Sequence, residues 1–139
     1  MIVTFCNRAL IVLAVAMCLD AAPARAQMIV DDSATNLPAT VRQAIFDLVT
    51  ENFRDPLTAQ FRRLHKADKP DRYCGEVNTR NMYGALAGFK PFVVTIEGNQ
   101  ESVEIVPSDD AVPKPSAAEI KAKRQAVEDA GCHTDRRNF

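Results

Sequence analysis

Histidine is scarce in this chain: two in 139 residues, His65 and His133. That scarcity removes most general-base chemistry. A serine hydrolase needs a nucleophile, a base and an orienting group. No G-x-S-x-G elbow occurs, and Ser33, Ser102, Ser108 and Ser116 fall in an expected arm, a short strand, a linker and a helix cap. His65 stands among Arg63, Lys66 and Lys69 and reads as an exposed strand residue. A structural zinc site wants about four Cys or His ligands, in closely spaced pairs. Only Cys132 and His133 adjoin. There is no phosphate loop and no dinucleotide fingerprint. No catalytic residue, cofactor or metal ligand is therefore assigned. An excess of one charge is missing as well: 17 basic against 18 acidic residues, net −1. That balance argues against a general nucleic-acid binder. Internal repeats and extended low-complexity segments are lacking too.

Long apolar runs are also missing, with one exception. Residues 9–19, "ALIVLAVAMCL", follow Arg8 and precede "AAPARA". A positive residue, a short apolar run and a small-x-small end form a secretory signal pattern. The run is shorter than the roughly 20 apolar residues of a membrane span. Residues 1–26 are expected to be a signal peptide, cut after Ala26, so that the protein is periplasmic or secreted and has no transmembrane span after cleavage. A competing reading makes Cys18 a lipidated residue, but bulky Met17 stands where such sites take a small side chain.

Removing the leader takes away Arg8, Arg25 and Asp20, leaving a net charge of −2. The charge is uneven. Residues 54–90 carry eight bases against four acids, and the segments on either side are each net acidic. One reading is a solvated strand face; the other is an anionic partner. Of four cysteines, Cys6 and Cys18 belong to the leader. Cys74 and Cys132 remain, and two cysteines in an exported protein most simply pair. A thiol nucleophile or metal ligand is the alternative.

Residues 27–36 read as a loose N-terminal arm, residues 37–132 as one domain and residues 133–139 as a tail. "NLPATVRQAIFDLVTENF" is an amphipathic helix, with Val41, Ile45, Leu48, Val49 and Phe53 on one stripe and Asn36 as its cap. Asp55 is expected to cap the short turn at Pro56. "QFRRLHK", "RYCGEVNTR", "FKPFVVTIE" and "ESVEIV" read as strands. Gly75, inside its strand, marks a bulge or a close neighbour, and Pro91 an edge or bulge. Ser116 to Glu119 is a capping box opening a last helix, which Gly131 can end. The expected class is α+β: an N-terminal helix, a three- to four-stranded antiparallel sheet and a C-terminal helix, with one disulfide and both helices on one sheet face.

Two places invite chemistry. Glu76 is the acid inside the basic middle, and a glycan-cleaving enzyme would need a second carboxylate about 5–10 Å from it. The ordinary alternative is an ion pair with Arg62, Arg63 or Arg80. Asp109 and Asp110 read as a linker pair. The other place is the loop 81–88, "NMYGALAG". Gly84 and Gly88 allow positive φ, and exposed N–H groups in such turns can form an anion nest. Asn78, Arg80 and Asn81 precede it, Lys90 follows it and Tyr83 offers an aromatic contact. These seven residues form a candidate recognition loop, unless the glycines simply close a hairpin whose backbone the asparagines bond.

At these same residues the chain resembles a group of small exported bacterial proteins of unknown function. Their segments run close to D-P-x-S-A-x-F-R and C-G-E-V-N-x-K-N-x-x-G-G-Y-x-G-F-x-P-F. The matches are Asp55, Pro56, Ala59, Phe61 and Arg62, then Cys74 to Asn78, Asn81, Gly84, Gly88, Phe89, Pro91 and Phe92. Thr58, Arg80, Ala85 and Leu86 depart from the pattern. The resemblance spans residues 55–92 and implies no activity; Cys74 within it fits a structural pair with Cys132. The function expected from all this is a non-enzymatic binding module of the cell envelope, with an envelope protein or an anionic envelope component as partner. An inhibitor or immunity-type protein, or a glycan-acting enzyme, are the alternatives.

Overall fold

The protein is represented by a computed structural model that describes residues 27–108, 111 and 113–133. The expected leader, with Cys18 and the cut after Ala26, lies outside them, as do Asp109, Asp110 and residues 134–139.

Five strands form one sheet in sequence order: β1 Met28–Ile29, β2 Gln60–Lys66, β3 Arg72–Arg80, β4 Leu86–Glu97 and β5 Gln100–Ile105. From β2 to β5 they make an antiparallel meander, while β1 runs parallel to β2. The class is α+β as expected. The sheet is mixed and has five strands, where an all-antiparallel sheet of three or four was expected.

Helix α1, Ala39–Thr50, buries Ile45, Phe46 and Val49 on one sheet face. Its N-cap is Pro38; Asn36, the expected cap, instead ends a short 3-10 turn, Ser33–Asn36. Asp55 does flank the turn Pro56–Thr58, but without a side-chain capping bond. Beneath α1 lie Phe61, Leu64, Val77, Phe92 and Val94. Phe46 and Phe61 have ring centroids 4.4 Å apart, and Phe61 meets Phe92 edge-on at 6.1 Å. Gly75 makes this packing feasible. A Cβ there would stand 2.6 Å from Leu64 Cδ2 and 2.7 Å from Phe92 Cζ, so only a residue without one fits.

Helix α2, Ala117–Asp129, covers part of the opposite face. The expectation that both helices share one face is thus corrected. Alternation explains the outcome: Cys74 and Val93 point away from the side that Gly75 and Phe92 occupy. They meet Val106, Val127 and Ala130 in a second, smaller core. Ser116 Oγ accepts the Glu119 N–H at 3.1 Å, the expected cap. At the other end Gly131 takes φ +87°, its N–H donates to Glu128 O, and the Cys132 N–H reaches back to Val127 O. This pair of bonds is a Schellman ending, with Cys132 at its outermost position. The Cys132 sulfur joins Cys74 in a disulfide, with Cα atoms 5.5 Å apart and a sequence separation of 58. Closing a loop of that size is worth about 4 kcal/mol in the chain-entropy account. A helix with little apolar surface is held by a covalent bond.

Within the arm of residues 27–36, the segment 28–33 is bonded to β2. Met28 N–H donates to Ala59 O and Val30 N–H to Phe61 O, and Ala34 is buried. Beyond β1 the chain plugs a bulge in β2, where Arg63 takes φ 54°. Asp31 Oδ2 accepts the Arg63 N–H at 2.8 Å, and Ser33 Oγ accepts the Leu64 N–H at 2.8 Å. Both amides of the bulge thereby find partners. Slight burial works against the Asp31 carboxylate. Hydrogen bonds from the Ser33 hydroxyl and the Arg63 and Ser33 amides, with the nearby Arg62 charge, outweigh it and hold the carboxyl below the usual value of 3.8.

Pro91 lies neither on an edge strand nor in a bulge. It sits in the interior strand β4 where pairing with β5 runs out, just past the Phe92–Ile105 pair, and its carbonyl accepts the Val106 N–H. A missing donor is tolerated there because the ladder is ending.

Candidate functional site

β2 pairs with β3 only as far as Asn78, and β5 pairs with β4 only from Phe92 onward. Phe89, Lys90 and Pro91 still pair with Asn78, Val77 and Glu76 inside the sheet, so only residues 79–88, with Arg80 facing Leu86, extend past both β2 and β5. They form a two-stranded arm beyond the sheet, ending in the turn at Met82–Gly84.

The turn is closed from within. Gly84 N–H donates to Asn81 O at 2.9 Å and Asn81 N–H to Ala85 O at 2.8 Å. The Asn81 side-chain carbonyl accepts from Tyr83 N–H at 3.0 Å and Ala85 N–H at 3.1 Å. Gly84, at φ +80°, supplies the left-handed residue that this turn and bulge require. Arg80 then donates to Gly84 O at 2.6 Å. An anion nest needs free N–H groups converging on a ligand. Here Asn81 already takes those of Tyr83, Gly84 and Ala85, so the nest reading is corrected: the loop's ligand is its own asparagine. Gly88, at φ +88°, marks a register shift lower in the arm, between Asn78 and Arg80 on the facing strand.

Of the seven candidate residues, the structure brings Arg80, Asn81, Tyr83 and Lys90 to one groove. Thr79, Met82, Ala87, Ser108 and Ala111 complete its walls, and its volume is about 370 Å³. Gly84 and Gly88 shape the arm. Asn78 does not belong to the group. It is 5% exposed, packed into the sheet, and donates to Gln60 Oε1 at 3.2 Å. Lys90 forms no ion pair with a described residue. Ser108 Oγ is buried against the arm and has no hydrogen-bond partner among the described residues.

Sequence reasoning found Tyr83, which is 86% exposed, but missed its neighbours Met82 at 59% and Leu86 at 46%. Their signal was present: two large apolar residues in a loop bounded by glycines. Ser108 gave no signal, because nothing local places a linker serine beside a hairpin.

Glu76, the candidate acid, has both oxygens engaged. Arg62 Nε donates to one at 2.5 Å and Arg63 to the other at 3.1 Å. The Arg62 guanidinium also stands 3.9 Å over the Phe89 ring. The expected ion pair is therefore made with two of its three proposed partners, and neither oxygen is left to face a substrate. His65 Nδ1 lies 2.7 Å from Arg63 O, and His133 lies 3.3 Å from Asp68 on the surface. No group of three or more His, Cys, Asp or Glu suited to a metal occurs among the described residues, and none of their helices is long and apolar enough to cross a membrane.

Comparison of the chain with protein-family models, with curated proteins and with solved structures gives no match.

Proposed function

We propose that this chain is an exported protein of the cell envelope that works as a non-enzymatic binding module. The observation that carries the reading is the arm of residues 79–88. It presents Met82, Tyr83 and Leu86 to solvent from a turn in which the amides of Tyr83, Gly84 and Ala85 are already bonded. Large exposed apolar side chains grouped on one rigid element mark interaction sites more often than inert surface. The disulfide and two cores hold the base of the arm, so little order has to be gained on binding. The leader pattern and the disulfide support export. An inhibitor or immunity-type protein would use the same convex tip, and the two readings share a first test.

That test is photo-crosslinking in cells from a photoreactive residue at position 83. A discrete adduct, resolved by mass spectrometry, is the expected result. A protein that is exported and folded yet yields no adduct overturns the reading and leaves the arm as a turn between two strands.

A further inference from the structure

Resting on that reading, we infer that the arm docks on an anionic phospholipid surface, with its tip in the headgroup layer and one lipid phosphate in the adjoining groove. Three features point the same way. The tip carries a tyrosine, a methionine and a leucine, and tyrosine suits the boundary between water and acyl chain. Arg80 and Lys90, both cationic, line the adjoining groove, and the Arg80 guanidinium also donates to Gly84 O. The third feature is the backbone. A loop can leave water only if its N–H and C=O groups are satisfied internally. Asn81 and Arg80 between them bond three amides and two carbonyls of the turn.

The groove adds what a simple apolar tip would lack. Ser108 places a buried hydroxyl without a partner among the described residues beside Lys90. The Lys90 ammonium suits a phosphodiester, which offers acceptors only, and the buried Ser108 hydroxyl would have to turn toward the groove to join it. A protein cleft would satisfy the apolar tip equally well. It would not call for a groove with an ammonium and an unused hydroxyl at its side.

The experiment is flotation of the purified protein with vesicles of phosphatidylcholine alone and with an equimolar mixture of phosphatidylcholine and phosphatidylglycerol. The protein is expected to float with the mixed vesicles only, and less so as salt is raised. Arg80→Ala with Lys90→Ala should cut that partition roughly tenfold, in line with the attraction of basic residues to anionic leaflets. The triple change Met82→Ser, Tyr83→Ser and Leu86→Ser, at exposed positions, should abolish it while circular dichroism and the disulfide stay unchanged. Tyr83→Trp adds a fluorophore to a chain that has no tryptophan, and its emission should shift to the blue on mixed vesicles. Failure to float, equal flotation of the triple variant, or an unshifted tryptophan each overturns the inference. So does displacement by soluble glycerol phosphate, which would make the groove a site for a free phosphate ester. A single protein adduct from position 83 without vesicle binding keeps the binding module and overturns the lipid surface.

Discussion

Gly75→Ala is the sharpest probe of this fold. The added methyl would lie 2.6 Å from Leu64 Cδ2, 2.7 Å from Phe92 Cζ and 3.0 Å from Phe92 Cε1. Real Cβ contacts do not come so close, so side chains or strands must give. Leu64 and Phe92 are both fully buried, and Phe92 is held edge-on by Phe61. Little room exists to yield, and overpacking of this kind costs about 1–3 kcal/mol. In a domain of this size each kcal/mol lowers the melting temperature by about 4–8 °C. The assay is thermal and urea unfolding of four proteins: wild type, Gly75→Ala, Leu64→Val and the double variant. Leu64→Val alone opens space and should destabilise. Combined with Gly75→Ala it removes one of the clashing groups, so the double variant should be more stable than the sum predicts, by about 0.5–3 kcal/mol. Phe92 keeps the rescue partial. A Gly75→Ala protein as stable as wild type, or strict additivity of the two changes, refutes the close approach of β3 to Leu64 and Phe92.

Two further outcomes are expected. Cys132→Ser should cost about 4 kcal/mol without altering the fold, and an unchanged denaturation midpoint would refute the account of what holds α2. Asp31 has a lowered folded value, so its contribution is complete well above pH 3.8 and is lost as pH falls through that lower value. The stability gap between wild type and Asp31→Asn should therefore be constant near neutral pH and shrink in acid. A gap that widens on acidification would refute the role of the carboxylate at the β2 bulge.

The local pattern made several elements readable. Strands β2 and β3 begin and end where alternation and flanking turns place them, and the Ser116 cap and Gly131 stop follow from residue type alone. What stayed hidden depends on contacts distant in sequence. β1 has only two residues and no pattern of its own. It exists because Asp31 and Ser33 find two amides freed by a bulge about 30 residues away. The bulge itself was invisible, since Arg63 is an ordinary strand residue in an unusual conformation. Which face each helix covers is likewise decided by how strands align, not by either helix. At the arm, residue types pointed to the right loop but to the wrong chemistry. Nothing local says whether an asparagine will bond its own backbone or leave those amides to a ligand.

The order of the strands has a kinetic consequence. From β2 to β5 every pairing joins neighbours in sequence, so the meander consists of hairpins that close quickly and without large loops. Besides α1 over β4 and β5, the attachments that span long stretches of chain include β1 against β2 and Cys132 against Cys74. Both bring a distant segment onto the same pair of strands, β2 and β3. A chain built this way collapses around its middle and is then fastened from both ends. Contacts that form after the rate-limiting step act on unfolding rather than on folding, and loosening either fastening is expected to speed unfolding more than it slows folding. The ends thus set how long the folded molecule lasts, and the middle sets how fast it appears.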